Sequence, residues 1–143
     1  MNQVSYQSIM MELADIKDKE IVHIKPTLET PEIILNKKDG LMKFEGRSLP
    51  ENPKLFYAPI KNWLNAYAES PHQYTHVTFR FDYMNTTSSK MVMEVIDIIK
   101  SVERHSGRLI IDWYYQEDDD DMMEAGEDFA GVTGAEFNFY SYP

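Results

Sequence analysis

The feature that most constrains the fold is a succession of strand, helix and strand in the middle of the chain. Residues 75–83 alternate apolar and polar side chains with a period of two, which is typical of a strand covered on one face. From about Ser88 to His105 the apolar residues recur at helical spacing instead, and Ser106-Gly107 ends that pattern. Residues 108–115 are again apolar, β-branched and aromatic. Because a helix joins them, the two strands are expected to be parallel neighbours with a right-handed crossover.

The residues before this unit predict an antiparallel hairpin. Asp39-Gly40 separates the apolar runs 31–36 and 41–46, and this dipeptide favours a tight turn between two strands. The β-branched residues that follow Glu20 are expected to be extended as well, up to Pro26.

The remaining segments add helices on both sides of the central unit. Asn52 and Pro53 are typical of a helix start, and the apolar stripe after them predicts a helix to about Glu69. Near the C-terminus an acidic stretch opens a third helix through Phe129, and residues 134–140 form a last strand. The predicted order is β-β-α-β-α-β-α-β. The fold class is therefore α/β, with a mixed sheet that contains the N-terminal hairpin and with crossover helices packed on the sheet.

Residues 1–19 carry only a weak pattern. They are expected to be either a loose tail or a short helix, over about residues 9–16, that docks on the body. We therefore expect an N-terminal extension at 1–19 and a single domain at 20–143. The segment has neither the basic nor the apolar region of a secretory signal, and the chain has no apolar stretch of 18 residues. The expected location is the cytoplasm.

The charge of the chain is concentrated in one segment. The formal net charge is −10, and residues 117–128 contain eight acidic residues and no basic one. Outside this segment 16 acidic residues face 14 basic ones, so the rest of the surface is balanced. Such a charge disfavours binding to nucleic acid and to anionic membranes, because the electrostatic attraction that drives both is missing. The absence of cysteine excludes disulfides, thiolate metal sites and cysteine nucleophiles.

The segment between the central strand and helix is the candidate for function. It consists of Asn85, Thr86, Thr87, Ser88, Ser89 and Lys90. Backbone amides are unpaired at a helix N-terminus and the helix dipole is positive there, so the position favours an anion. A phosphoryl group on one of the four hydroxyls would meet these amides. The simpler interpretation is that the same residue types merely cap the helix.

No other pattern indicates chemistry. The acidic run 117–121 lacks the spacing of a calcium-binding EF-hand, and the four histidines form no His-Glu-x-x-His motif. Nucleophile elbows, glycine-rich phosphate loops and dinucleotide fingerprints are absent from the sequence. We therefore predict no catalytic residues, no metal and no cofactor. The alternative is a small enzyme or phosphate-ligand protein with a pocket at the start of the second helix.

Several blocks, in this order, resemble the SiaC family of bacterial regulatory phosphoproteins, whose fold is like that of the STAS anti-sigma-factor antagonists. The blocks span residues 25–140. They are Thr30-Pro31-Glu32, residues 46–52, residues 56–60 with Trp63, residues 81–90, and the aromatic strand near Trp113.

This resemblance implies a regulatory protein that is not itself an enzyme. In the family, the threonine directly after the asparagine is phosphorylated by a Ser/Thr protein kinase and reset by a PP2C-type phosphatase. Carried over, the phosphoacceptor is Thr86, with Thr87 as the nearest competitor, and residues 85–90 form the switch segment that contacts the partner. The resemblance also implies that the unmodified form binds and activates a diguanylate cyclase, which places the chain in c-di-GMP signalling.

Overall fold

Six strands form one sheet in the computed structural model, which describes residues 5–105 and 107–143. The strands are β1 (Ile21–Ile24), β2 (Glu32–Asn36), β3 (Leu41–Ser48), β4 (Tyr74–Met84), β5 (Arg108–Gln116) and β6 (Phe137–Tyr142). The helices of these residues are α1 (Tyr6–Leu13), α2 (Pro53–Glu69), α3 (Thr86–Lys100) and α4 (Asp120–Thr133), and a 3-10 turn at Ser101–His105 follows α3. The predicted α/β class is confirmed.

The sheet is mixed, and its strands are ordered as they are in the chain. β1, β2 and β3 are antiparallel neighbours, whereas β3, β4, β5 and β6 are parallel and are connected through α2, α3 and α4. The predicted hairpin is confirmed, with Gly40 at φ +67°. A side chain at Gly40 would lie 2.3 Å from the Tyr74 carbonyl oxygen, so the turn requires glycine for space as well as for its backbone angle.

Several predicted bounds are wrong. The extended run after Glu20 pairs with β2 and adds a strand to the predicted order. The second helix begins two residues earlier than expected, at Thr86, and its α-helical part ends at Lys100. The last strand begins at Phe137 rather than at the predicted Gly134, because Gly134, at φ +75°, is the residue that ends α4. Ser106, which was expected to help end the second helix, lies outside the described residues.

The hydrophobic core lies between the helices and one face of the sheet. On β4 the side chains of Thr75, Val77, Phe79 and Phe81 are buried, and those that alternate with them are more exposed. Trp113 lies on the same face with its ring centroid 5.6 Å from that of Phe79. Both tryptophans, Trp63 and Trp113, are at most 2% exposed.

Tyr83 is an exception to the predicted alternation. Its side chain was expected to point inward with Phe81, but it is 46% exposed. The pairing of β3 with β4 shifts register between Gly46 and Arg47, so the end of β4 no longer follows the regular pleat. The Tyr83 ring instead lies against the Arg47 guanidinium, with 5.6 Å between Cζ and the ring centroid.

The N-terminal segment is a helix packed on the body, the second of the two predicted alternatives, although its bounds are Tyr6–Leu13. Ile9, Leu13 and Ile16 are each at most 1% exposed. The Lys19 carbonyl accepts a hydrogen bond from the indole N–H of Trp63 at 2.8 Å, which attaches the end of the segment to α2. Within the two described stretches, no helix combines the length and apolar character that crossing a membrane requires.

Candidate functional site

The candidate site is the junction of β4 and α3, which Asn85 caps. The Asn85 side-chain oxygen accepts a hydrogen bond from the Ser88 backbone N–H at 2.8 Å, and its carbonyl accepts one from Ser89 at 2.9 Å. The Asn85 N–H donates to the Ser48 carbonyl oxygen at 3.1 Å, which attaches the cap to the end of β3. Thr86 is therefore the first helical residue rather than part of a connector. The cap interpretation of Asn85 holds, whatever further role the segment has.

The four consecutive hydroxyls do not share one environment. Thr86 and Thr87 are exposed, and Ser89 is half-buried. Ser88 is fully buried, and its hydroxyl oxygen accepts a hydrogen bond from the Ser48 hydroxyl at 3.1 Å. Of the predicted switch segment, the Ser88 side chain is thus directed into the protein and is not available to a partner at the surface.

Thr86 lies in the wall of a groove that the sequence did not indicate. The groove has a volume of about 360 Å³ and lies between the end of β4 and the starts of α3 and α4. Its lining residues are Asp82, Tyr83, Met84, Asn85, Thr86, Ser89, Asp119, Asp121, Met122 and Ala125. Thr87 and Lys90 are not among them. The two exposed threonines therefore face different surroundings.

The groove is electrostatically one-sided. Of its described lining residues three are aspartates, and none is Lys, Arg or His. Asp119 caps α4, since its carboxylate accepts a hydrogen bond from the Met122 N–H at 3.0 Å. The first turn of α4 contains two more acids, whereas the first turn of α3 contains none. A phosphoryl group on Thr86 would meet the free amide end of α3 together with carboxylates on the other walls.

These carboxylates could not be assigned to the site from the sequence. Asp82 is four residues from Thr86, but Asp119 and Asp121 belong to another helix. One general signal does point to them. In a parallel sheet the carboxyl ends of the strands and the starts of the following helices meet at one edge, so α3 and α4 begin on the same side.

The other candidate chemistries are not brought together. His23 hydrogen-bonds to Glu32 at 2.9 Å and His76 to Asp112 at 2.6 Å, and these pairs lie on the sheet face opposite the core. In the described part of the chain, no three His, Asp or Glu side chains converge in a way that could hold a metal ion. The acidic run contributes to the wall of the groove instead.

Comparison with known proteins gives a matching family model and a related protein. A family model described as SiaC family regulatory phosphoprotein matches residues 24–142. An uncharacterized protein of Pseudomonas aeruginosa strain UCBPP-PA14 is 24% identical over 108 residues, which are 76% of this chain and 86% of that protein.

Solved structures agree in fold. SiaC of Pseudomonas aeruginosa is 22% identical, with a TM-score of 0.77 over 87% of this chain and 100% of that one. A chain in the crystal structure of the diguanylate cyclase SiaD in complex with its activator SiaC, also from Pseudomonas aeruginosa, is 23% identical. Its TM-score is 0.76 over 85% of this chain and 99% of that one. These likenesses establish a common fold.

Proposed function

Since the chain belongs to the SiaC family of regulatory phosphoproteins, we propose that it is a phosphorylation-controlled regulator and that Thr86 is its phosphoacceptor. The observation that carries the proposal is the position of Thr86. Its side chain is exposed, it begins α3, and it lines the groove between α3 and α4. A kinase can reach such a hydroxyl without unfolding the core, and the added charge lies where it changes a docking surface.

The neighbouring hydroxyls are poorer acceptors. Ser88 is buried and hydrogen-bonded, so phosphorylation there would require the helix to open. Ser89 is half-buried. Thr87 is exposed, but it does not line the groove, and successive residues on a helix point about 100° apart. A kinase that docks on the groove would therefore find Thr86.

The groove makes a phosphate at Thr86 effective as a switch. Phosphorylation adds a charge of about −1.5 to −2 at pH 7. It adds this charge to a groove that already contains Asp82, Asp119 and Asp121 and no described basic residue. The modified surface differs from the unmodified one in charge, shape and hydrogen-bonding groups. A partner that fits the unmodified surface loses its fit.

The partners of this proposal are a Ser/Thr protein kinase, a PP2C-type phosphatase and a diguanylate cyclase. The SiaC of the solved complex is an activator of the cyclase SiaD. We extend that role to this chain: the unmodified form binds a cyclase and raises its activity, phosphorylation ends this binding, and the phosphatase restores it. The chain acts as a regulator and not as an enzyme. Its regulatory domain is residues 20–143, with 1–19 as an extension, and it acts in the cytoplasm.

The test is the intact mass of the protein after incubation with Mg²⁺, ATP and an extract of the cells that produce it. We expect the wild type to gain one phosphoryl group, and Thr86→Ala to gain none. Thr87→Ala and Ser89→Ala serve as matched controls and should gain one group each. A phosphoryl group that persists in Thr86→Ala, or no gain in the wild type, would contradict the proposal.

The alternative of a phosphate-ligand pocket at the start of α3 has the free amide end in its favour. The three aspartates of the groove stand against it, because they repel a free anion. Inorganic phosphate or a nucleotide that bound there would raise the melting temperature in a concentration-dependent way. We expect no such shift.

A further inference from the structure

Three hydroxyl groups meet in the interior directly beneath the first turn of α3. They belong to Ser48 at the end of β3, Tyr57 in α2 and Ser88 in α3, and all three residues are fully buried. The Ser48 hydroxyl is 2.6 Å from the Tyr57 hydroxyl and donates to the Ser88 hydroxyl at 3.1 Å. The cluster joins a strand and two helices at one point.

The protons of this cluster can be assigned. A serine or tyrosine hydroxyl has one proton to donate. Because Ser48 donates its proton to Ser88, the 2.6 Å contact requires Tyr57 to donate to Ser48. Burial raises the pKa of the Tyr57 hydroxyl far above its ordinary value, so this donor stays protonated at every physiological pH. The hydrogen bonds therefore form a directed chain from Tyr57 through Ser48 to Ser88.

This chain of hydrogen bonds fixes both ends of the cap segment. The Ser48 carbonyl oxygen accepts from the Asn85 N–H at 3.1 Å, and the Ser48 hydroxyl holds Ser88. The Ser88 N–H in turn donates to the Asn85 side chain at 2.8 Å. Thr86 and Thr87 lie between these two attachment points. Thr86 lines the groove and Thr87 does not, and the anchoring of the residues on either side sets this difference.

We infer that Tyr57 is a positioning residue that selects Thr86 over Thr87 as the phosphoacceptor. This inference rests on the proposed function. Two adjacent threonines are chemically the same, so a kinase can tell them apart only by their direction, about 100° apart around the helix axis. Tyr57 touches neither of them. It acts through Ser48 and Ser88, which hold the first turn of α3 in one rotation.

The test compares Tyr57→Phe with Tyr67→Phe. Both substitutions remove one buried hydroxyl from α2, but the Tyr67 hydroxyl bonds to Thr75 at 2.7 Å, away from the α3 cap. Tyr57→Phe leaves the hydrogen bond from the Ser48 hydroxyl to the Ser88 oxygen in place. It therefore leaves no buried donor without an acceptor, and we expect it to fold. Each protein is incubated with Mg²⁺, ATP and an extract of the producing cells. Its tryptic peptide 81–90 is then sequenced by tandem mass spectrometry.

In the wild type and in Tyr67→Phe we expect the phosphate on Thr86. In Tyr57→Phe the ratio of phosphate on Thr87 to phosphate on Thr86 should rise about fivefold to tenfold, which corresponds to one lost hydrogen bond. Ser88→Ala, which removes the other end of the chain, should raise the same ratio. If Tyr57→Phe fails to fold, Ser88→Ala decides.

The two proposals fail separately. Suppose that the wild type is phosphorylated on Thr86 and that Tyr57→Phe leaves the ratio of phosphate on Thr87 to phosphate on Thr86 unchanged. The positioning role is then wrong and the proposed function stands. If Tyr57→Phe does not fold, an unchanged ratio in Ser88→Ala has the same meaning. An equal rise in Tyr67→Phe would also overturn the positioning role, because it would indicate a general loosening of α2. If the wild type carries no phosphate within residues 81–90, the proposed function itself fails.

Discussion

Two helices begin at the groove, and their first turns differ in one respect. In both α3 and α4 the side-chain oxygen of the cap residue accepts a hydrogen bond from the backbone N–H three residues later. The distance is 2.8 Å from the Ser88 nitrogen to Asn85 and 3.0 Å from the Met122 nitrogen to Asp119. The cap of α4 is charged, and two further acids follow it. The cap of α3 is neutral, and hydroxyl residues follow it.

The difference shows which of the two helix starts lacks a negative charge of its own at the positive end of the helix dipole. The positive end of a helix dipole attracts an anion, and α4 satisfies this attraction with its own carboxylates. α3 does not, although it lies against the same groove. We therefore propose that α3 receives a negative charge by phosphorylation of Thr86. The carboxylates of α4 form a permanently negative wall of the groove, and the phosphate acts against this wall.

The largest expected change in stability comes from displacing α4, the helix whose carboxylates line the groove. Gly126 of α4 lies against Trp113, where an added Cβ would be 2.6 Å from the indole ring, and the Trp113 N–H donates to the Met122 carbonyl. Gly126→Ala should lower the free energy of unfolding by about 1–3 kcal/mol, because the helix must move off the ring. Urea denaturation measures this loss.

Gly131→Ala is the matched control in the same helix, since an added Cβ there would meet no atom within 4 Å. It should leave stability unchanged or raise it by up to about 1 kcal/mol. Equal losses in the two variants would mean that α4 does not depend on the Trp113 contact.

Removing the two caps should have the next largest effect. Asn85→Ala and Asp119→Ala should each cost about 1 kcal/mol, because each leaves a helix amide without its acceptor. The loss at Asp119 should be the larger one at low salt, since a charge at the dipole is lost with the bond. Thermal unfolding in low and high salt separates the two contributions. The comparison of the helix starts breaks down if salt affects both variants alike.

A smaller effect should follow the addition of a phosphate itself. Phosphothreonine incorporated during translation at position 86 should lower the free energy of unfolding by about 0.5–1 kcal/mol at low salt. The three aspartates of the groove then outweigh the attraction of the α3 amide end. The loss should shrink in high salt, because salt screens such repulsion.

Phosphothreonine at position 87 is the control, because Thr87 does not line the groove. It should leave stability unchanged or raise it slightly. The double variant Asp119→Asn/Asp121→Asn should abolish most of the loss at position 86. A loss at position 86 that this double variant leaves in full would mean that the groove does not act on the phosphate.

The smallest effect should come from exchanging the caps. Asp119→Asn keeps the capping oxygen and removes its charge, so it should cost about 0.3–1 kcal/mol at low salt. Asn85→Asp makes the opposite exchange at α3. Asn85→Asp should raise the free energy of unfolding by less than Asp119→Asn lowers it, because the new carboxylate faces the aspartates already in the groove. Equal and opposite changes would mean that the two helix starts do not share one groove.

The sequence predicted the local parts of the site well. Alternation in β4 as far as Phe81 and the apolar stripe of α3 depend on neighbouring residues, and the structure contains both. The residue types of the helix cap were recognised as well, but the helix start was placed two residues late. The burial of Ser88 was missed, although a signal for it exists. The stripe of Val92, Val95 and Ile96, followed back by one turn, reaches Ser88.

The nonlocal parts could not be predicted. Tyr83 is exposed because β4 contains one extra residue, Asp82, opposite the step from Gly46 to Arg47 in β3, and the alternation of residues 75–83 does not reveal this bulge. The groove forms because Asp119 and Asp121 approach Thr86 from another helix. The sequence marked the acidic run as unusual, but only the packing of α4 on the sheet assigns it to the site.

The most direct test of the account is the affinity of this chain for the diguanylate cyclase that we propose as its partner, measured by isothermal titration calorimetry. Three forms are compared: unmodified, phosphorylated at Thr86 and phosphorylated at Thr87. We predict that the phosphate at Thr86 weakens binding by about tenfold or more, which is about 1.4 kcal/mol. The phosphate at Thr87 should leave the affinity within about twofold of the unmodified form. Equal affinities for the unmodified and Thr86-phosphorylated forms would contradict the account.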